Sequence, residues 1–122
     1  NPPIAAAGLR DLLLLFCGRR LLLRIEGRSM QPTLEPGDRV LVRRLRRKPA
    51  PSLGSVVVTW HPQRSELRLI KRLSRVDSTG LWLLGDNPTE STDSRQLGAV
   101  PTNLLIGEVV GRLPLGESEQ SR

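Results

Sequence analysis

The apolar residues of this chain never gather into a long block. The longest run spans residues 12–17 and is closed by Gly18-Arg19-Arg20, far short of the roughly 20 residues a membrane-spanning helix needs. From Leu21 onward they come in short pieces, at 21–26, 39–43, 55–60, 66–73, 81–84 and 105–113, separated by turn signals such as Pro36-Gly37-Asp38 and Gly85-Asp86-Asn87-Pro88. Pieces of this length, rich in Val, Leu and Ile, read as strands. Their irregular spacing predicts a mainly β fold, a single curved antiparallel β domain. With 122 residues, 38% of them hydrophobic, the chain can fill one modest core and has no length for a second.

Ahead of the strands, residues 4–16 place Leu9, Leu12, Leu13 and Phe16 against Arg10 and Asp11, the pattern of a short amphipathic helix. It can dock on its own core, the commoner case, or lie on a lipid surface, which Arg19, Arg20 and Arg24 would suit. The expected organisation is an N-terminal amphipathic segment at 1–24, a β domain at 25–113 and a disordered polar tail at 114–122. Residues 43–51, with five cations and two prolines, read as an exposed loop. A start at Asn1 rather than Met is compatible with an upstream targeting or anchoring segment.

Charge narrows the partners. Lys and Arg number 19 against 12 Asp and Glu, a formal +7, so nucleic acid and anionic membrane come first. Aromatic residues are only 2%, namely Phe16, Trp60 and Trp82. That is too few for a base-stacking platform, and no nucleic acid is expected. Cys17 and His61 are the sole cysteine and histidine, which excludes an internal disulfide and the common zinc sites. No metal or cofactor is expected.

Three regions carry potential chemistry. Residues 27–38 form an irregular loop containing Ser29, one of ten serines. A serine nucleophile needs a base within hydrogen-bond reach. Arginine stays protonated, so the bases available are His61, Lys48 and Lys71. Lys48 ends a cationic run before Pro49 and should be solvated and charged. His61 stands before Pro62 at a strand end, leaving a Ser29–His61 pair with an Asp as a second arrangement. Strand alternation puts Lys71 on one face with Leu67, Leu69 and Leu73. An ordinary lysine, pKa near 10.4, is neutral only about once in 10³ molecules at neutral pH. Burial among leucines would favour the neutral amine that a general base requires. Periodicity alone supports a snorkelling strand lysine equally well. The third region, residues 85–95, read alone is a hydrated turn with an exposed Asp93–Arg95 pair.

Together, Ser29-Met30-Gln31-Pro32-Thr33-Leu34 with Gly37-Asp38, then Ile70-Lys71-Arg72, then Gly85-Asp86-Asn87 with Ser91, Asp93, Ser94 and Arg95 closely resemble the signal peptidase I family across roughly residues 25–111. The resemblance implies a β domain of signal-peptidase or LexA-like type. It further implies a serine endopeptidase in which Ser29 attacks the scissile carbonyl and neutral Lys71 takes its proton. Ser91 matches the serine that orients the lysine, Asp93 and Arg95 the pair that braces the loop behind it, and Asp86 and Asn87 structural supports. Met30 matches the residue whose backbone follows the nucleophile into the cleft. Gly27 stands where some members carry a hydroxyl donor to the oxyanion, so the oxyanion contacts here should be backbone N–H groups.

The absence of an anchor and the short Lys71–Gly85 spacing look like the small nickel-type superoxide dismutase maturation proteases. That resemblance implies a precursor protein with an N-terminal leader as partner, probed first with the nickel superoxide dismutase precursor, and a cytoplasmic or membrane-peripheral location. The nickel would belong to the substrate. Three alternatives remain at this point: an anchored signal peptidase lacking its anchor here, a LexA-like protein that cuts itself at Ala7-Gly8 or Cys17-Gly18, and a basic nucleic-acid-binding β module. Oligomeric state is not legible.

Overall fold

The computed structural model describes residues 2–45 and 51–113. Among them, a short helix α1 (Leu9–Phe16) precedes strands β1 (Arg20–Arg24), β2 (Arg39–Arg44), β3 (Val56–Trp60), β4 (Arg68–Asp77), β5 (Gly80–Leu84) and β6 (Leu105–Leu113), with a four-residue helix α2 (Ser94–Leu97) between β5 and β6. The strands form one sheet in the order β1-β2-β6-β3-β4-β5, every neighbour antiparallel. The mainly β architecture expected from the sequence is the one observed.

Register shifts interrupt the ladder between Leu41 and Val42, Val58 and Thr59, and Leu73 and Arg75. Such irregularities increase local twist and bend a sheet, and a core forms on each face. Alternation along β2 and β3 sends Val40, Val42, Val56 and Val58 to one side, where they bury Ile25, Met30 and Leu34. It sends Val57 to the other side with Leu73, Leu81, Leu83 and Val100.

Two boundaries differ from expectation. The helix begins at Leu9 rather than Ile4, because Ala5–Ala7 takes up a free stretch of β6: the Ala7 N–H donates to the Arg112 carbonyl and the Arg112 N–H to the Ala5 carbonyl. Gly111 permits this approach, with Ala7 lying where a side chain at 111 would be. Strand β4 runs four residues past Leu73 into polar Ser74–Asp77, because hairpin pairing with β5 continues to Asp77 and Gly80. Of the exposed loop expected at 43–51, Arg43 and Arg44 belong instead to β2, where Arg43 pairs with Glu108; residues 46–50, Lys48 among them, and the tail expected at 114–122 lie outside the described residues.

Candidate active site

Ser29 lies in the loop between β1 and β2, and that loop is tied down on both sides. The Ile25 N–H donates to the Asp38 carbonyl, the Gly37 N–H to the Ile25 carbonyl, and the Leu34 N–H to the Met30 carbonyl. Met30 and Leu34 are buried in the core beneath. Gly27 has φ +77, a left-handed backbone that a side chain would strain, so the turn entering Ser29 depends on a glycine there.

Lys71 is positioned by β4. It pairs with Val57 of β3, and its side chain leaves the strand on the face that carries Leu69 and Leu73. Lys71 is 6% exposed, and its Nζ lies 2.7 Å from Oγ of Ser29. Burial lowers the pKa of this amine; the nearby Asp93 carboxylate opposes that shift and the Arg95 guanidinium adds to it. The result is a hydroxyl in contact with a desolvated amine biased toward its neutral, proton-accepting form. His61, the other candidate base, is engaged otherwise: its Nδ1 accepts the N–H groups of Gln63 and Arg64.

The third region is a brace. Asp93 is fully buried and begins α2 with a capping box, accepting from the Arg95 N–H while the Gln96 side chain accepts from the Asp93 N–H. Its carboxylate also takes both Arg95 Nε at 3.0 Å and Nη2 at 2.6 Å, the Gly85 N–H at 2.7 Å and the Ser91 hydroxyl at 2.7 Å. Burial alone would raise its pKa; the hydrogen bonds from Arg95, Gly85 and Ser91 outweigh that and hold it well below the usual carboxylate range. The Ser94 hydroxyl accepts the Leu83 N–H. The Asp93 carboxylate is thus a buried junction joining β5, the Gly85 turn and α2, with the partly exposed Arg95 closing it from the solvent side.

From that junction the turn reaches the serine loop. The Asn87 N–H donates to the Ser29 carbonyl at 2.8 Å, and the Asn87 amide to the Arg28 carbonyl at 3.1 Å. Asp86 receives Arg72 through Nε at 3.0 Å and Nη2 at 2.7 Å and the Thr33 hydroxyl at 2.5 Å, while Arg72 Nη1 donates to the Gly54 carbonyl. Gly85 is required by contact: a Cβ there would lie 2.6 Å from the Ser91 Cβ and 2.8 Å from the Ser29 carbonyl oxygen.

Ser29, Lys71, Met30, Asp86, Asn87, Ser91, Asp93, Arg95 and Gly27 therefore belong to one continuous assembly. Ser91 sits against Asp93 within it, its described hydrogen bond going to that carboxylate. Arg72, Thr33 and Ser94 stand inside the resembling motifs, but sequence reading gave them no role. The Asp93-Ser94-Arg95-Gln96 capping box was legible as a helix start; nothing local showed that Arg72 and Thr33 would meet at Asp86.

Ser29 and Lys71 open onto a cleft of about 510 Å³ whose walls are Leu22–Glu26 on one side and Glu66–Arg68 with Ile70 on the other. Both walls carry free strand edges. β1 pairs only with β2, and β4 pairs with β5 only from Arg72 onward, leaving 68–71 with one neighbour. Among the described residues no protein acceptor takes the Ser29 N–H.

The chain belongs to the Peptidase S24-like family, whose model matches residues 15–110. Among curated proteins it is similar to mitochondrial inner membrane protease subunit 1 of Schizosaccharomyces pombe, 35% identical over 71% of this chain and 69% of the relative. The protein of the same name from Mus musculus is 29% identical over 68% of this chain and 63% of the relative. That from Xenopus tropicalis is 41% identical over 44% and 36%. The chain spans at most 69% of the length of these relatives. No described helix is long and apolar enough to cross a membrane, and no described cluster of His, Cys, Asp and Glu could hold a metal.

Proposed function

We propose that this chain is a serine endopeptidase that uses a Ser29–Lys71 dyad to remove an N-terminal leader from a precursor protein. The observation that carries the reading is the 2.7 Å contact between Ser29 Oγ and the buried Lys71 amine. An extended precursor segment lies along the cleft and hydrogen-bonds to the free edges of β1 and β4, as strand-adding peptides do. Oγ of Ser29 attacks the scissile carbonyl carbon while its proton passes to Nζ of Lys71. The carbonyl oxygen becomes an oxyanion facing the Ser29 N–H. Collapse breaks the C–N bond, the leaving amine takes the proton from Lys71, and an ester on Ser29 remains. Lys71, neutral again, deprotonates a water that attacks the ester; the acyl C–O bond then breaks as the Lys71 ammonium returns that proton to Oγ of Ser29, and the leader leaves with a new C-terminal carboxyl group.

Ser91, Asp93 and Arg95 act through Lys71. They fix the turn against which the dyad rests and place a paired, overall neutral charge beside the amine. Asn87 holds the Ser29 carbonyl, and Asp86 ties Thr33 of the serine loop to Arg72 of β4. Cleavage of a separate precursor is favoured over self-cleavage because neither Ala7-Gly8 nor Cys17-Gly18 lines the cleft. The first substrate to test is the nickel superoxide dismutase precursor named by the sequence resemblance. The second is a membrane-delivered precursor of the kind the relatives' names suggest.

The test is intact-mass analysis of each precursor incubated with the chain, with Ser29→Ala and with Lys71→Met. Loss of one discrete N-terminal fragment with the wild type and with neither variant supports the reading. Cleavage that persists in Ser29→Ala refutes the dyad; cleavage of the membrane-delivered precursor alone removes the nickel-enzyme substrate and keeps the peptidase.

A further inference from the structure

The least explained feature outside the cleft is α1. No residue of this helix is buried. Leu9, Leu13 and Phe16 are 73%, 56% and 88% exposed. Their spacing of four and three puts them on one stripe. The opposite side is accounted for: Leu14 and Leu15 are half-buried, and Asp11 pairs with Arg20 of β1 at 3.1 Å, while Leu12, beside the stripe, is also half-buried. The ion pair fixes which way the helix faces, and Leu9, Leu13 and Phe16 face solvent.

The charges beside the stripe have one sign. Residues 2–24 contain four arginines and a single acid, Asp11, and that acid is already paired. Arg10, Arg19 and Arg24 are exposed. Three apolar side chains fall far short of the roughly 20–30 residues per side of a stable protein interface. They do match the shallow apolar face, rimmed by Arg, of a helix lying in a membrane interface.

We propose that α1 is a membrane-surface helix. Leu9, Leu13 and Phe16 enter the headgroup–acyl boundary of an anionic bilayer, and Arg10, Arg19 and Arg24 meet the lipid phosphates. Only residues 17–19 separate α1 from β1, which walls the cleft, so docking brings the cleft to the bilayer. Leu22 and Leu67, the exposed leucines of the two walls, then stand at the lipid side of its mouth. This goes beyond the peptidase reading and does not depend on it.

The test uses the full chain carrying Ser29→Ala, co-sedimented with vesicles of phosphatidylcholine mixed with phosphatidylglycerol or of phosphatidylcholine alone. Binding to the mixed vesicles that weakens with salt is the expected result. The pair Leu13→Ser and Phe16→Ser should weaken it on the order of tenfold. The pair Arg10→Ser and Arg19→Ser should weaken it and flatten the salt dependence. All four side chains are exposed, so an unchanged thermal melt separates lost binding from lost fold. Absent binding to the anionic vesicles, or binding unaffected by Leu13→Ser with Phe16→Ser, overturns the proposal. So does self-association in sedimentation velocity that needs the stripe while vesicles are ignored, which would assign the stripe to a second copy of the chain.

Discussion

Replacing Gly85 by alanine adds a single methyl group at the point where the brace meets Ser29, the proposed nucleophile. The added Cβ would stand 2.6 Å from the Ser91 Cβ and 2.8 Å from the Ser29 carbonyl oxygen, against an ordinary contact of at least 3.4 Å. The neighbours must therefore give way by about 0.6–0.8 Å. Rotating the Ser91 hydroxyl relieves neither contact, because one is to a Cβ and the other to backbone. Overpacking of this kind costs about 1–3 kcal/mol. The displaced group is the carbonyl of Ser29 itself, held by the Asn87 N–H. Misplacement near 1 Å at a reacting group costs up to about 10² in rate, so kcat should fall by roughly 10–10² while the protein still folds. The assay pairs urea denaturation with single-turnover cleavage of a precursor at saturating enzyme, so that stability and chemistry are read separately. Gly85→Ala with wild-type stability and wild-type single-turnover rate would refute the claim that this turn sets the position of Ser29.

Three further outcomes follow from the same structure. Arg95→Met removes the cation that neutralises Asp93; the unneutralised carboxylate charge then favours the Lys71 ammonium, its pKa rises, and the acid limb of the kcat/KM profile moves to higher pH, whereas an unmoved limb or one moved to lower pH contradicts the brace's role in tuning the amine. Thr59→Val should raise stability by about 1 kcal/mol in a urea melt, because the buried Thr59 hydroxyl has no hydrogen-bond partner and valine keeps its shape; a loss of stability would mean that the hydroxyl is satisfied in solution. Arg72→Met breaks a buried ion pair and should cost about 3–5 kcal/mol, with Arg72→Met combined with Asp86→Leu recovering part of it, and additive effects in that cycle would show the pair to be uncoupled.

The strands were legible because each is a short apolar run and most are bounded by Gly, Pro, Asp or Asn; all six form, with β4 displaced to Arg68–Asp77. The helix was overextended to Ile4 because periodicity cannot distinguish Ala5–Ala7 in a helical turn from Ala5–Ala7 laid along β6; what decides is the unoccupied edge of a strand more than 100 residues away in sequence. The face that Lys71 shares with Leu69 and Leu73 was legible from alternation, but periodicity left burial and snorkelling equally open, and its 6% exposure is decided by packing. Its contact with Ser29 needed the serine loop to fold back over that strand, which local pattern does not encode. Asp93 shows the same limit from the other side: Asp93-Ser94-Arg95 in sequence looks like a solvated turn, and only the packing of Gly85 and Ser91 around the carboxylate makes it a buried junction. Thr33 has no local signature because its partner Asp86 is 53 residues distant.

If Ser29 is the nucleophile and Lys71 its base, a covalent acyl intermediate forms on Ser29. It is trapped by acid-quenching the chain during precursor cleavage and mapping the adduct by peptide mass spectrometry. One acyl group is expected, on the peptide bearing Ser29, formed faster as pH rises through the lowered pKa of Lys71 and absent in Lys71→Met. Precursor cleavage with no adduct on Ser29, or an adduct that forms equally well in Lys71→Met, would contradict the dyad.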